Sequence, residues 1–478
     1  DFYLAFVKQK TGDRVSRPLF VTYLLSSSYE LRVAKKRDRV SRPHHYPAIN
    51  FVCYCRIIIT EGSMRKKYAS LAIVALFAIL FCFRHSITSG LAMETNHTNY
   101  TKRTGAPATD DNRLGPNANP LPQAQVRLIK NSARPSGKNS GRLVELKPLL
   151  SVSDQPPNFF FKYPSEVKLS RRGDVFVLDE EEILQFDSSG KFLRNYYKKG
   201  QGPGEMQYVI DIAIDGENLA AFDSFPKKVC RFDFEGNLLS EFKINQLRAG
   251  TRLVRLLHAD GSNYYLTSSG FPDTGGKFVR IDNPNYFQVY NEKTEQLEEL
   301  ATFSVPAWAM IGGGAGAMVG TCPLQIVPYR KNQFVISHTE DYLLKIFDVE
   351  KKEVVAAFRR KYKKVKIPEA LRDPTRIAVN GQRYTYNPTH YNDILEVLVV
   401  GDLIWALTST VDKSKGLLVD VFNGEGKYVD CFYLKFPFEL KPTFRNLGIS
   451  LAVDHGGKIL WATVKNPDET FSLKKFQL

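Results

Sequence analysis

The chain has 478 residues, 43% apolar and 24% charged, which is enough to bury a full core and too apolar for a wholly disordered polymer. Its formal charge of +16 resembles that of a polyanion binder until the charge is located: residues 1–142 hold 23 basic and 8 acidic side chains, the remaining 336 residues 43 and 42. The folding part is thus nearly neutral, which removes the composition argument for a nucleic-acid partner.

The segment 1–63 carries Asp13-Arg14-Val15-Ser16-Arg17-Pro18 and the same hexapeptide again at Asp38–Pro43, with no sustained helical or strand period. It is expected to be a spurious upstream extension of the reading frame, or a basic cytoplasmic tail. Met64 is followed by Arg65, Lys66, Lys67 and an apolar run, Ala69–Phe83. A basic start before 15 apolar residues has the form of a signal peptide and is short of the ~20 residues a spanning helix prefers. Gly90 and Ala92 suit cleavage, whereas Arg84 directly after the run suits a retained anchor, so 64–93 is expected to be one or the other. Cys82, between Phe81 and Phe83, does not sit in a lipidation box. Residues 94–141, rich in Asn, Thr, Pro, Gly and Ala, are expected to form a flexible linker. The domain beyond is expected to be exported, periplasmic or at the cell surface, and held in the membrane through 69–83 if that run is uncleaved.

From residue 142 the chain reads as short β-rich runs separated by Gly, Asp and Asn turns, recurring as a four-strand module. The first copy has runs at 166–170, 175–179, 183–187 and 191–197, and the second at 210–214, 219–223, 228–233 and 238–244. Gly190 and Gly236 are equivalent in the two copies, 46 residues apart. A third copy is read at 252–257, 264–267, 278–281 and 287–290, a fourth at 324–327, 334–337, 343–348 and 354–358, and a fifth at 394–400, 403–407, 417–422 and 428–433. The sixth, at 449–453, 458–462 and 471–478, is one strand short. Small four-stranded sheets bury both faces by closing into a ring, which predicts an all-β, six-bladed propeller over 142–478. The missing outer strand of the sixth blade is expected from Arg142–Leu149, with Leu143–Leu146 as its pairing segment.

The connection Lys199-Gly200-Gln201-Gly202-Pro203-Gly204-Glu205-Met206, with the recurrent Phe-Asp-x-x-Gly turn, resembles bacterial six-bladed propellers related to the NHL-repeat and TolB-like groups. Met206 stands where those proteins usually carry Phe. The resemblance implies a propeller in an extracytoplasmic setting and little about chemistry, since most such proteins have no assigned activity.

In such a ring the second-to-third-strand loops and the interblade connections share one face, where ligands usually sit. The candidate ligand-binding residues there are Asp179, Glu180, Asp223, His338, Glu340, Asp341, His390 and Asp412. Each is weighed against a solvated loop charge or a turn-capping role. Asp179 and Asp223 recur at one repeat position, which favours a hydrogen bond that builds the blade. A zinc site is disfavoured, because of the domain's four histidines His258 and His455 are placed at turns on the opposite face. No cofactor is expected; the alternative is one calcium ion held in the channel by Asp179, Asp223 and Glu340, as in a lactonase- or arylesterase-like hydrolase. Gly312–Gly320 lacks the Lys and Ser/Thr of a phosphate loop and reads as a flexible interblade loop. Arg359–Lys364 reads as an exposed outer strand whose charge blocks edge pairing, and Tyr384, Tyr386 and Tyr391 as rings able to take a sugar or peptide. Cys230 and Cys431 read as buried thiols, and neither a Cys–His pair nor a Gly-x-Ser-x-Gly elbow is present. The expectation is a non-catalytic module binding a protein, peptide or sugar on the channel face, with no nucleic acid.

Overall fold

Strands 175–179 and 219–223 alternate apolar side chains on both faces, so each must be covered twice. In the computed structural model, which describes residues 126–247, 251–312, 315–379 and 382–478, this produces six sheets in sequence. Sheet one is Pro164–Leu169, Val175–Asp179, Glu182–Phe186 and Phe192–Asn195; sheet two is Val209–Asp215, Asn218–Ser224, Lys227–Asp233 and Leu238–Lys243. Val175 and Val177 pack with Trp461 and Leu473 of sheet six, while Phe176 and Leu178 pack with Ile212 and Ala221 of sheet two. Further clusters join sheets two and three, three and four, four and five, and five and six. Six inter-sheet cores, the last between sheet six and sheet one, are the packing of a six-bladed β-propeller.

The Phe-Asp-x-x-Gly turn is explained by its hydrogen bonds. Asp187 accepts the N–H groups of Ser189 and Lys191, Asp233 those of Glu235 and Asn237, and the following Gly190 and Gly236 have φ of 83° and 92°. A side chain at Gly190 would also run into Leu150 of the neighbouring sheet.

Five sequence expectations are corrected. Sheet three (Arg252–Asp260, Asn263–Ser269, Val279–Asn291, Gln296–Gly312, Ala315–Gly320) has one continuous strand where 278–281 and 287–290 were read as two, and its fourth strand, Gln296–Gly312, escaped the pattern. The glycine-rich segment read as a flexible loop supplies a fifth strand, Ala315–Gly320, because its small residues pair without steric demand on Ala307–Gly312. The sixth sheet (Leu451–Val453, Ile459–Lys465, Phe471–Gln477) takes its fourth strand from Lys147–Val152, whereas Arg142–Glu145 pairs in parallel with Tyr428–Lys435 of sheet five (Ile394–Val400, Leu403–Asp412, Gly416–Phe422, Tyr428–Lys435). Leu128–Asn131, within the expected linker, pairs in parallel with Glu353–Arg360 of sheet four, whose other strands are Gln325–Pro328, Gln333–Ser337 and Leu344–Asp348. The basic run is therefore no open edge: Lys130 lies opposite Arg359, and Arg360 is buried on Asp420 at 2.6 Å.

The apolar run 69–83, the leader and most of the expected linker lie outside the described residues. No helix among the described residues is long and apolar enough to cross a membrane.

Candidate functional site

Antiparallel strands alternate direction, so second-to-third-strand loops and interblade connections leave at one face. On that face Asp179 and Asp223 are wholly buried. Asp179 accepts the N–H of Lys162 at 2.8 and 3.0 Å on its two oxygens and that of Tyr163; Asp223 accepts those of Gln207, Tyr208 and Phe225 at 2.8, 2.8 and 3.2 Å. These carboxylates clamp the entry to the innermost strand of their own sheet. Burial raises the Asp179 carboxyl above its ordinary range even though these N–H groups oppose the shift. What they hold was missed in the sequence: Tyr163, Tyr208 and Phe225 are 64%, 54% and 65% exposed. The available signal was a large ring in a connection whose neighbours are polar.

The Gly-rich motif serves the same connection. Glu205 folds back so that its Oε2 accepts the Gly202 N–H at 2.9 Å, and a Cβ at Gly200 would lie on that carboxylate. Gly204, at φ 72°, gives its N–H to Glu241, Pro203 lies between them, and Met206 is fully buried between sheets one and two. The motif thus delivers Tyr208 to the face.

The other candidates do not converge. His338 occupies the position of Asp179 in sheet four, with its Nδ1 2.9 Å from the Ser304 carbonyl and its Nε2 2.9 Å from Lys345; burial, then the Lys345 charge, lowers its pKa. Glu340 pairs with Arg280 at 3.0 Å, and Asp341 pairs with Lys364 on the exposed surface. Glu180 is exposed in a tight turn at φ 52°, His390 is exposed beside Thr389, and Asp412 caps a turn through Ser414. His258, expected in a turn, lies in an inner strand and stacks on Tyr265. Among the described residues no three His, Cys, Asp or Glu side chains gather as a metal site. Cys230, Cys322 and Cys431 are buried and unpaired.

Tyr384 and Tyr386 belong to a separate hairpin, Thr375–Val379 and Gln382–Tyr386. Tyr384 stacks on Phe278 at 4.8 Å, Phe278 on Trp308 at 5.1 Å, and Tyr386 meets Phe444 at 5.7 Å. Much of these rings' surface is therefore spent tying the hairpin to sheet three and, through Phe444, to the connection between sheets five and six.

A second polar feature follows the innermost strands. Glu166, Asp211, Arg255, Gln325 and Glu396 hold one register position, opposite Leu178, Phe222, Thr267, Ser337 and Leu407, and Ser450 holds it in sheet six. In three cases the side chain satisfies an inner-strand N–H of the next sheet: Glu166 accepts from Ile212, Asp211 from Leu256 and Ser450 from Val167. Arg255 instead turns to Asp211, with its Nε 2.7 and 2.8 Å from the two oxygens. Lys168, paired with Glu166 at 2.9 Å, also feels Asp211 and Glu396. Its side chain is 36% exposed although it lies on an innermost strand, so water reaches the axis of the ring.

Residues 156–309 match the family model DUF5128, a six-bladed β-propeller. Among solved structures the chain is similar to a candidate exported protein of Bacteroides fragilis NCTC 9343, at 14% identity over 73% of this chain and 99% of that one, with a TM-score of 0.43. A DUF4221-family protein of Bacteroides vulgatus ATCC 8482 is similar at 11% identity over 70% and 98%, with a TM-score of 0.44. No curated protein matches the chain.

Proposed function

We propose that this protein is an exported, non-catalytic β-propeller that binds its ligand on the face formed by the interblade and second-to-third-strand connections. One observation carries the reading: Tyr163, Tyr208 and Phe225 stand more than half exposed there, while the buried Asp179 and Asp223 fix their backbones. Exposed apolar area costs on the order of 25 cal/mol per Å² relative to burial, and pre-positioned aromatic side chains are the anchors of recognition surfaces. Export is supported by the basic start at Met64 and the apolar run to Phe83. The Lys199–Met206 connection supports a place near the NHL-repeat and TolB-like propellers.

The test is a photo-crosslinking residue placed at Tyr208, with a control at Glu217 in the opposite-face turn of the same sheet. Adducts in native extract should form at 208, not at 217, and should vanish with Tyr163→Ala and Phe225→Ala. Equal labelling at both positions would refute a binding face.

A further inference from the structure

Residues 361–393, the connection from Arg360 of sheet four to Ile394 of sheet five, hold seven Lys and Arg against three Asp and Glu, whereas the rest of 143–478 holds 36 against 39. The excess is therefore local, within a domain that is otherwise mildly acidic. Arg360 is consumed by Asp420 and Lys364 by Asp341. Lys361, Lys363, Lys366, Arg376 and Arg383 are exposed and have no ion pair among the described residues. Hairpin register puts Arg376 and Arg383 on the face opposite Ile377 and Tyr384, so the arginines point away from the ring stack. As an interblade connection, the basic segment shares the face of Tyr163, Tyr208 and Phe225 but lies in another sector of the ring.

A ligand that engages both sectors must be an extended polymer. It must present anionic groups to the basic connection and apolar ring faces to the aromatic side chains. A polymer charged at every unit fits poorly, because residues 164–243, which build the aromatic sector, hold 11 basic and 15 acidic side chains. We infer that the ligand of this face is an acidic polysaccharide, with its carboxylate or sulfate groups on Lys361, Lys363, Lys366, Arg376 and Arg383 and its sugar faces on Tyr163, Tyr208 and Phe225. The inference rests on the binding face proposed above and assigns its chemistry.

The full chain is titrated by calorimetry with hyaluronan and gellan, whose carboxylate-bearing sugars are separated by uncharged ones, and with neutral dextran and single-stranded poly-dT. Because residues 1–142 are themselves basic, the decisive comparison is between variants of the same full chain. Hyaluronan or gellan should bind, with affinity falling at least tenfold between roughly 50 and 300 mM salt. The five-site variant with Gln at 361, 363, 366, 376 and 383 should lose at least tenfold. So should Tyr208→Ala with Phe225→Ala, which keeps the N–H groups that Asp223 needs; an unchanged circular dichroism spectrum confirms that each variant folds. Absence of binding by both acidic polysaccharides, a five-site variant as tight as the parent, dextran binding as tightly, or a poly-dT affinity that falls as far as the polysaccharide affinity in both the five-site and the aromatic variants would overturn the assignment. Crosslinking at Tyr208 without polysaccharide binding would remove the ligand class and leave the face; loss of both would remove the face as well.

Discussion

The Asp223 carboxylate, which has no exposed surface, accepts the backbone N–H of Tyr208, whose side chain stands in solvent. A buried charge is costly unless fully hydrogen-bonded, and this one takes three backbone donors, two from the interblade connection and that of Phe225 from the second-to-third-strand loop. The pairing thus uses a core position to immobilise a surface ring, and Asp179 repeats it one sheet earlier.

Asp223→Ala strands those donors and should cost about 2–4 kcal/mol of stability, read as a lower urea midpoint. Asp223→Asn should fall short of rescue, since one carboxylate oxygen becomes an NH₂ facing an N–H. Tyr208→Ala keeps the clamp and should change stability by less than about 1 kcal/mol. Equal losses in the Asp223→Ala and Tyr208→Ala variants would argue that the ring, not the clamp, stabilises the connection.

Strand placement was legible where Gly and Asp punctuate the chain: Val175–Asp179 and Ile394–Val400 begin and end where the pattern puts them. It failed where the partner is distant in sequence. Leu128–Asn131 and Arg142–Glu145 add single four-residue strands to sheets four and five, with no local turn to announce them. Of the site, recurrence identified Asp179 and Asp223 as blade-building residues. The polar register position from Glu166 to Ser450 was hidden, because local bulges in several inner strands shift the two-residue period that would have aligned it.

Gly200→Ala should disturb the same surface from the other side. The added methyl would lie on Glu205, displacing the carboxylate from the Gly202 N–H and loosening the approach to Tyr208. A loss of about 1–3 kcal/mol is expected, together with faster amide exchange at Tyr208. Gly320→Ala, at a glycine that like Gly200 has no positive φ and whose added methyl meets only an ordinary contact, isolates the general cost of replacing a glycine.

Asp420 is fully buried and accepts from Arg360 at 2.6 Å and from the hydroxyls of Tyr342 and Tyr428 at 2.7 and 2.6 Å, joining sheets four and five. Asp420→Ala leaves a guanidinium buried without its counter-charge and should cost about 3–5 kcal/mol. The double variant Arg360→Met, Asp420→Leu should recover most of that loss, because the desolvation cost disappears with the pair. A double-mutant cycle in urea measures the coupling, and strictly additive single losses would contradict it.

Glu396 provides the pH test. It shares the register position of Glu166 and Asp211 but has no hydrogen bond among the described residues, and burial, opposed by Lys168 and reinforced by Glu166, raises its pKa to about 7. The folded state therefore holds this proton more tightly than the unfolded chain, whose carboxyl titrates near 4.5. Its contribution to stability is complete below the unfolded value and is lost as pH rises through about 7. Glu396→Gln, which mimics the protonated form, should match the parent at pH 4 and exceed it by on the order of 1–2 kcal/mol at pH 8. Urea melts of both proteins across that range decide it: parallel stability curves would mean that Glu396 is ionised at no cost, compensated by Lys168.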